Sequence, residues 1–385
     1  MTGGGSGGHI TPVLSVAEEL KKQQPALRLV YVIGKGDQLI DIPTKHPAID
    51  AVVTIRAGKF RRYHGEGWRQ LLDIRTLLKN IRDFFLFCTG IFQARHLLKR
   101  EKPNVIFIKG GFVGVPVGLA AAWLHIPYVT HDSDALPGLA NRIIARWAKV
   151  HAVALPVENY DYPPEKTVQV GVPVTENYKL VGEALNKEYR RSLKLEPNQP
   201  VLFITGGGLG AQSLNEAIVA ASPKLFEHHP KLAILHIAGR HHETAIQKAY
   251  AEVLKPEQLD QVTVEGFVTD IYRYSGAADL IVCRAGATSL ADFAMQSKAC
   301  VVVPNPILTG GHQLKNAQAL AVAGAIEVIP ENSLLTAPEL LLTKINELLN
   351  SSDRRKDLAK KLHTFSNDTS ARVLAELIIS NERKG

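Results

Sequence analysis

"VLFITGGGLGAQSLNEAI", residues 201–218, joins an apolar, β-branched run to a glycine cluster and then to a helical repeat. Leu214, Ala217, Ile218 and Ala221 recur at i, i+3, i+4 and i+7, so a helix with one buried stripe starts directly after the glycines. Strand, glycine turn and helix in that order form the anion-cradling unit of doubly wound α/β folds. Glycine removes Cβ bulk, and the unpaired N–H groups of the helix start point at the guest. The chain opens on the same device, "MTGGGSGGHITP", with a histidine at its edge.

Outward from these two turns, apolar runs alternate with helical patterns: "LRLVYVI", "AVVTI", "NVIFI", "PYVTH", then "LAILHIAG", "VTVEGF", "LIVC", "CVVVP" and "AIEVIP". Such alternation calls for parallel sheets covered by helices on both faces. A chain of 385 residues exceeds what one hydrophobic core supports. The expected fold class is therefore α/β, with two Rossmann-like domains facing a cleft. The expected boundaries are 1–172, 173–348 and a closing set of helices at 349–385, with the linker near "VGVPVTENY" from Val170. Only Met1 and Thr2 precede the first glycines, and a buried central strand is hard to omit, so the leading strand is expected to begin upstream of Met1.

Composition narrows the function. Hydrophobic content of 45% with 21% charged residues describes a folded protein and not a disordered one. Cys88, Cys283 and Cys300 lack CxxC spacing, which argues against structural zinc and for a reducing compartment. The apolar stretch from Val105 carries Lys109, His125, a Gly-Gly pair and two prolines, so it reads as strand, loop, helix and strand and not as a membrane span. Positive charge concentrates between Lys59 and Lys102, eleven basic against four acidic residues. It is interleaved there with Phe60, Tyr63, Trp68 and the "FFLF" from Phe84. That pattern suits an anionic membrane surface, with Lys59, Arg61, Arg62, Trp68 and Arg69 as contacts, or a solvated face over core helices. No nucleic-acid motif accompanies it.

Five motifs carry chemistry. In "GGGSGGHITPV", Thr11 is the expected N-cap with Pro12 at the first helical position, leaving His9 at the loop end, where the positive helix terminus favours a neutral ring able to accept a proton. "KGGFVGVP" offers a further turn at Gly110, Gly111 and Gly114. "HDSDALPGLANR" spells a DxD at Asp132 and Asp134. A divalent metal on a leaving diphosphate would have to sit beside the donor features, which lie in the other domain, so no metal and no cofactor are expected. Asp132 is instead a second candidate base or an orienter of His9. "CRAGATSLADF" is strand, turn and helix with Thr288 or Ser289 as cap and Asp292 one turn in, suited to phosphate and ribose hydroxyls. "GGHQLKNA" sets His312, Gln313 and Asn316 at a helix start, where they can fork onto sugar hydroxyls.

Taken in order over nearly the whole chain, "GGGSGGHITP", "KGGFVGVP", "HDSDALPGLANR", "GVPV", "TGGGLGAQSLN", "CRAGATSLADF" and "GGHQLKNA" resemble the MurG glycosyltransferases. That resemblance implies the GT-B architecture, closing helices that return to the N-terminal domain, and a metal-independent, inverting transfer of N-acetylglucosamine in peptidoglycan synthesis. The donor would be UDP-GlcNAc and the acceptor an undecaprenyl-linked muramyl peptide, handled on the cytoplasmic face of the membrane. It implies His9 as general base and Gly5, Gly110 and Gly111 at the acceptor diphosphate. On the donor side it implies Ser6, Gly7, Gly8, Asp134, Thr175, Gly208, Val268, the run Ala287, Thr288, Ser289, Leu290, Ala291, Asp292, and then His312, Gln313 and Asn316. The sequence departs from the family's common pattern with Asp134 for Asn, Thr175 for Arg, Gly208 for Ser and Asp292 for Glu.

Three other readings remain open at this level. A dinucleotide oxidoreductase would use the first turn, with Asp37 near the expected ribose acid, but leaves the second glycine domain without a task. A related transferase or epimerase would act on a different acceptor. A non-catalytic nucleotide-sugar-binding protein would retain ligand without turnover.

Overall fold

A computed structural model describes residues 1–58, 74–306 and 311–383. The chain forms two compact units, Met1–Thr175 with Asn367–Gly385, and Glu176–Ser366.

In the N-terminal unit the parallel strands are β1 (Val30–Gly34), β2 (Ala51–Ile55), β3 (Ile106–Ile108), β4 (Tyr128–Asp132), β5 (Val150–Val153) and β6 (Thr167–Gln169). β2 pairs with β1, and β3, β4, β5 and β6 follow one another. The gap between β1 and β3 is closed by Met1 and Thr2 alone, since Thr2 bridges both Val32 and Ile108 in parallel sense. The Met1 ammonium donates to Val30 O at 2.8 Å, and Thr2 N–H to Phe107 O at 2.9 Å. Met1 and Thr2 thus occupy the place of the leading strand at the centre of the sheet. Burial lowers the Met1 ammonium pKa to about 5.

The C-terminal unit holds β7 (Val201–Thr205), β8 (Ala233–Ile237), β9 (Val262–Glu265), β10 (Leu280–Cys283), β11 (Cys300–Val302) and β12 (Glu327–Val328). They lie in the order β12-β11-β10-β7-β8-β9, all parallel. The period of two sorts the central strands between two cores. Leu202, Ile204, Leu280 and Val282 enter one, while Val201, Phe203, Ile281 and Cys283 enter the other with Phe293. This is why these strands read as continuous apolar runs.

β5 and β6 escape a sequence reading. "VHAV" contains His151, which is fully buried, stacked on Tyr162 at 4.0 Å and hydrogen-bonded through Nδ1 to the Thr130 hydroxyl at 2.8 Å. β6 is a three-residue edge with two exposed positions. The closing helices divide between the units: Ser352–His363 packs within the C-terminal unit against the helices Ala287–Met295 and Glu339–Asn350, whereas Ser370–Ser380 packs against the first helix of the N-terminal unit.

Candidate functional site

In open parallel sheets a ligand crevice forms beyond the carboxyl ends of the strands, where the chain switches from one side of the sheet to the other. In the N-terminal unit that point lies between the Thr2 stub and β3. The loops leaving them are Gly3–Ser6 and Lys109–Val113. The first helix runs Gly7–Gln23, one turn earlier than expected; Ser6 is the N-cap and Pro12 lies inside the helix. Tertiary packing overrides the poor helix propensity of Gly7 and Gly8. As a result His9 sits in the first turn and not at the loop end. Its Nδ1 lies 3.2 Å from Gly4 O and 3.1 Å from the Ser6 hydroxyl. A carbonyl can only accept, so Nδ1 carries the proton and Nε2 keeps the lone pair. Burial lowers the His9 pKa to about 4, helped by the positive charge of Lys109 and opposed by Asp134 and the Gly4 carbonyl. The ring is therefore neutral at physiological pH.

The second turn abuts the first: a Cβ on Gly111 would lie 2.7 Å from Gly4 O and 3.5 Å from His9 Nδ1. Lys109, at the end of β3, is buried, and among the described residues its ammonium has no hydrogen bond or ion pair. "HDSD" ends β4 beside it. Asp132 does not orient His9. Its Oδ1 accepts from Gly138 N–H at 2.8 Å and its Oδ2 from the Tyr162 hydroxyl at 2.9 Å, while burial raises its carboxyl above the usual range. His131 Nε2 lies 2.9 Å from Gly171 O, and Asn141 donates to His131 O at 3.0 Å. Asp37, the candidate ribose acid of a dinucleotide site, accepts from Gly5 N–H at 2.8 Å and from Leu39 N–H at 3.0 Å, so it braces the loop itself.

In the C-terminal unit the switch point lies between β7 and β10. The loop Gly206–Gly210 leaves β7 and feeds the helix Gln212–His228. Arg284–Gly286 leaves β10 and feeds Ala287–Met295, whose N-cap is Gly286. Thr288 and Ser289 are thus not caps but first-turn residues, and Gly286 has no side chain with which to satisfy the amides of Ala287, Thr288 and Ser289. The helix start is left ready for an anion. Leu290 is buried in the core beneath and Ala291 lies beside it. Asp292, one turn in, has no hydrogen-bond partner for its carboxyl among the described residues, and burial raises it well above the usual range. A ribose hydroxyl would supply the missing donor.

Arg284 holds this loop, donating to Val303 O and Ser213 Oγ at 3.0 and 2.9 Å and pairing with Glu331 at 2.5 Å. Val268 is half-buried, and its neighbour Phe267 carries the Arg240 guanidinium 3.8 Å above its ring. A Cβ on Gly208 would meet the Phe267 ring at 3.7 Å, ordinary contact. His312 and Gln313 begin the helix His312–Val322, with Gln313 Oε1 accepting from Asn305 N–H at 2.9 Å. Asn316 is buried and donates to Ala285 O at 3.1 Å, which gives it a part in fixing the β10 loop.

The folding brings Gly5, Ser6, Gly7, Gly8, His9, Gly110, Gly111, Asp132 and Asp134 to one edge of the N-terminal sheet. Gly208, Val268, the run 287–292 and Gln313 gather in the C-terminal unit. Thr175 is the last residue of the N-terminal unit. Lys59, Arg61, Arg62, Trp68 and Arg69 lie outside the described residues. Sequence reasoning missed Lys109, Tyr162 and Asn141. A lysine directly before Gly-Gly at a strand end was the one signal available; the pairing of Tyr162 with Asp132 spans 30 residues and leaves no local trace.

Residues 1–153 match the glycosyltransferase family 28 N-terminal domain and residues 201–376 the glycosyltransferase family 28 C-terminal domain. A protein of Halothermothrix orenii named UDP-N-acetylglucosamine--N-acetylmuramyl-(pentapeptide) pyrophosphoryl-undecaprenol N-acetylglucosamine transferase is 31% identical over 98% of this chain and 97% of its own. A protein of the same name from Natranaerobius thermophilus is 29% identical over 99% and 98%. The crystal structure of Acinetobacter baumannii MurG superposes with a TM-score of 0.66 at 25% identity, covering 99% of this chain and 98% of that one. A Neisseria meningitidis UDP-GlcNAc 2-epimerase shares the fold at 14% identity and a TM-score of 0.61, covering 99% of each chain.

Proposed function

The chain belongs to glycosyltransferase family 28, among the MurG transferases, and from that membership we propose how it works. It transfers N-acetylglucosamine from UDP-GlcNAc to the C4 hydroxyl of the muramyl sugar in undecaprenyl-diphospho-MurNAc-pentapeptide, a step of peptidoglycan synthesis. The observation that carries this reading is His9. It is a neutral imidazole whose Nδ1 proton is committed to Gly4 O, so that Nε2 is free to take a proton, and it stands between two glycine turns.

His9 Nε2 takes the proton of the C4 hydroxyl as that oxygen attacks the anomeric carbon of the donor. The new glycosidic bond forms as the bond to UDP breaks, with inversion. The bonding pair of the broken C1–O bond stays with UDP, which leaves with one more negative charge than the diphosphate carried in the donor, and the amides at the start of the helix Ala287–Met295 meet that charge without needing an ion. Asp292 accepts from the ribose, Gln313 reads the sugar, and the main chain at Val268 reads the uracil. Release of UDP, coupled to a detecting enzyme, tests the reading: release should require a polyprenyl-diphosphate-linked muramyl acceptor. UDP release that is indifferent to that acceptor would refute it.

The enzyme works as a peripheral protein on the cytoplasmic membrane face. No described helix is long and apolar enough to cross a membrane. The helix Ile74–Glu101 instead exposes Phe84, Phe85 and Phe92, and Phe92 meets the exposed Trp123 edge to face at 6.3 Å. These aromatics continue the basic segment that begins at Lys59, a combination suited to anionic lipid. Co-sedimentation with anionic vesicles should weaken in salt and on neutralising Lys59, Arg61, Arg62 and Arg69. Equal binding by that variant would contradict it.

A further inference from the structure

We propose that Lys109 is the cation that receives the diphosphate of the lipid-linked acceptor. The proposal rests on the acceptor assigned above and names the residue that anchors it. β3 ends at Ile108, so Lys109 emerges at the switch point of the N-terminal sheet, and its backbone N–H is committed to Thr2 O at 3.0 Å. The backbone is therefore fixed, while the residue is only 5% exposed and its ammonium has no hydrogen bond or ion pair among the described residues. Ammonium is strongly hydrated, and losing most of its water without a protein partner is unfavourable. Natural proteins keep such a group where a ligand completes it.

The surroundings point to an anion. Gly110 and Gly111 follow at φ +114° and +77°, a backbone open to close approach by a guest. The Ser133 hydroxyl, buried and without a partner, supplies a further donor in the same loop cluster. Two carboxylates lie within Coulombic reach of Lys109, and neither forms an ion pair with it. Both oxygens of Asp132 are already engaged by Gly138 and Tyr162. Asp134 adds its field. Lys109 is also within Coulombic reach of His9, whose proton affinity it lowers. The acceptor carries its diphosphate on C1 and its nucleophile on C4, at opposite ends of one pyranose ring. An anchor for one and a base for the other must therefore be separate groups held a sugar's length apart. Lys109 and His9 are separate groups, coupled through space and not bonded.

The test is steady-state kinetics of wild type, K109M and K109R with a short-chain polyprenyl-diphosphate-linked muramyl peptide and UDP-GlcNAc. K109M should raise the acceptor KM by about tenfold or more while the donor KM stays unchanged, and K109R should recover part of the loss. The acid limb of kcat/KM should also move to higher pH in K109M, because His9 loses a repelling charge. An active K109M with the wild-type acceptor KM overturns the proposal. Should K109M be inactive, calorimetry with inorganic pyrophosphate in saturating UDP decides. Binding to wild type that is lost in a K109M protein melting at the wild-type temperature supports the assignment, and equal binding overturns it. If wild type itself fails to use the acceptor, the functional reading falls. The pyrophosphate comparison still judges Lys109.

Discussion

The two glycine turns share a layout and differ in what surrounds the glycines. In the N-terminal unit Gly3, Gly5 and Gly111 are packed, while Gly7 is open. A Cβ on Gly3 would sit 2.2 Å from His9 O, one on Gly5 2.9 Å from the Phe112 ring, and one on Gly111 2.7 Å from Gly4 O. In the C-terminal unit Gly206 and Gly210 are packed likewise, a Cβ there lying 2.5 Å from Ala211 Cβ and 2.2 Å from Ala238 O, whereas a Cβ on Gly207, Gly286 or Gly311 meets no described atom within 4 Å. The first set exists so that two loops can touch and set His9 in place. The positions of Gly207, Gly286 and Gly311 leave room for a guest. Charge follows the same division: His9, Lys109, Asp132 and Asp134 crowd the first edge, whereas the second offers helix-start amides and the lone carboxyl of Asp292. The proposed mechanism therefore assigns proton chemistry to the N-terminal unit and donor recognition by backbone to the other.

The most direct way to break this comparison is His9→Ala. Turnover should fall on the order of a hundredfold or more with UDP affinity unchanged by calorimetry. In wild type the acid limb of kcat/KM should lie near pH 4, since below that value His9 is protonated and cannot accept the proton. Near-normal turnover in the variant would remove the division of labour.

Glycine substitutions sharpen it next. Gly111→Ala, at φ +77° and 2.7 Å from a backbone oxygen, should destabilise the protein by about 1–3 kcal/mol in denaturant melts. Gly286→Ala should leave stability within about 0.5 kcal/mol of wild type but weaken UDP binding about tenfold, because its methyl group occupies guest space. Matching stability losses at both positions would show that the Gly286 position is packed after all.

Within the C-terminal unit, Asp292→Ala should lose affinity for UDP itself, whereas Gln313→Ala should lose a few-fold affinity for UDP-GlcNAc alone. Equal losses for both ligands in both variants would merge ribose and sugar recognition into one site. The smallest effect is expected from EDTA. If helix-start amides meet the diphosphate charge, complete chelation leaves turnover unchanged. Activity lost on chelation and restored by magnesium would reassign Asp132 and Asp134 as ligands.

The sequence by itself determined the α/β class, most of the strands and both glycine turns, because each is a local pattern: a continuous apolar run is what a strand buried on both faces requires. It also marked His9 as a candidate from its place beside the first turn, and Asp292 from its place one turn into the helix of "CRAGATSLADF". Tertiary structure decided the rest. The expectation of Thr11 as N-cap followed local propensity, but contact between the first two glycine turns winds the helix from Gly7 and so brings His9 into its first turn. Thr288 and Ser289 look like caps until Gly286 takes that position and puts both in the first turn. Asp132 reads as a base or a ligand until Tyr162, 30 residues away, occupies one of its oxygens. Lys109 reads as an interruption in an apolar stretch until burial shows its charge unpaired. Periodicity and turn chemistry act between near neighbours and are written in order along the chain. Protonation, capping and pairing depend on which distant groups exclude water from a side chain, and only the packed fold sets that.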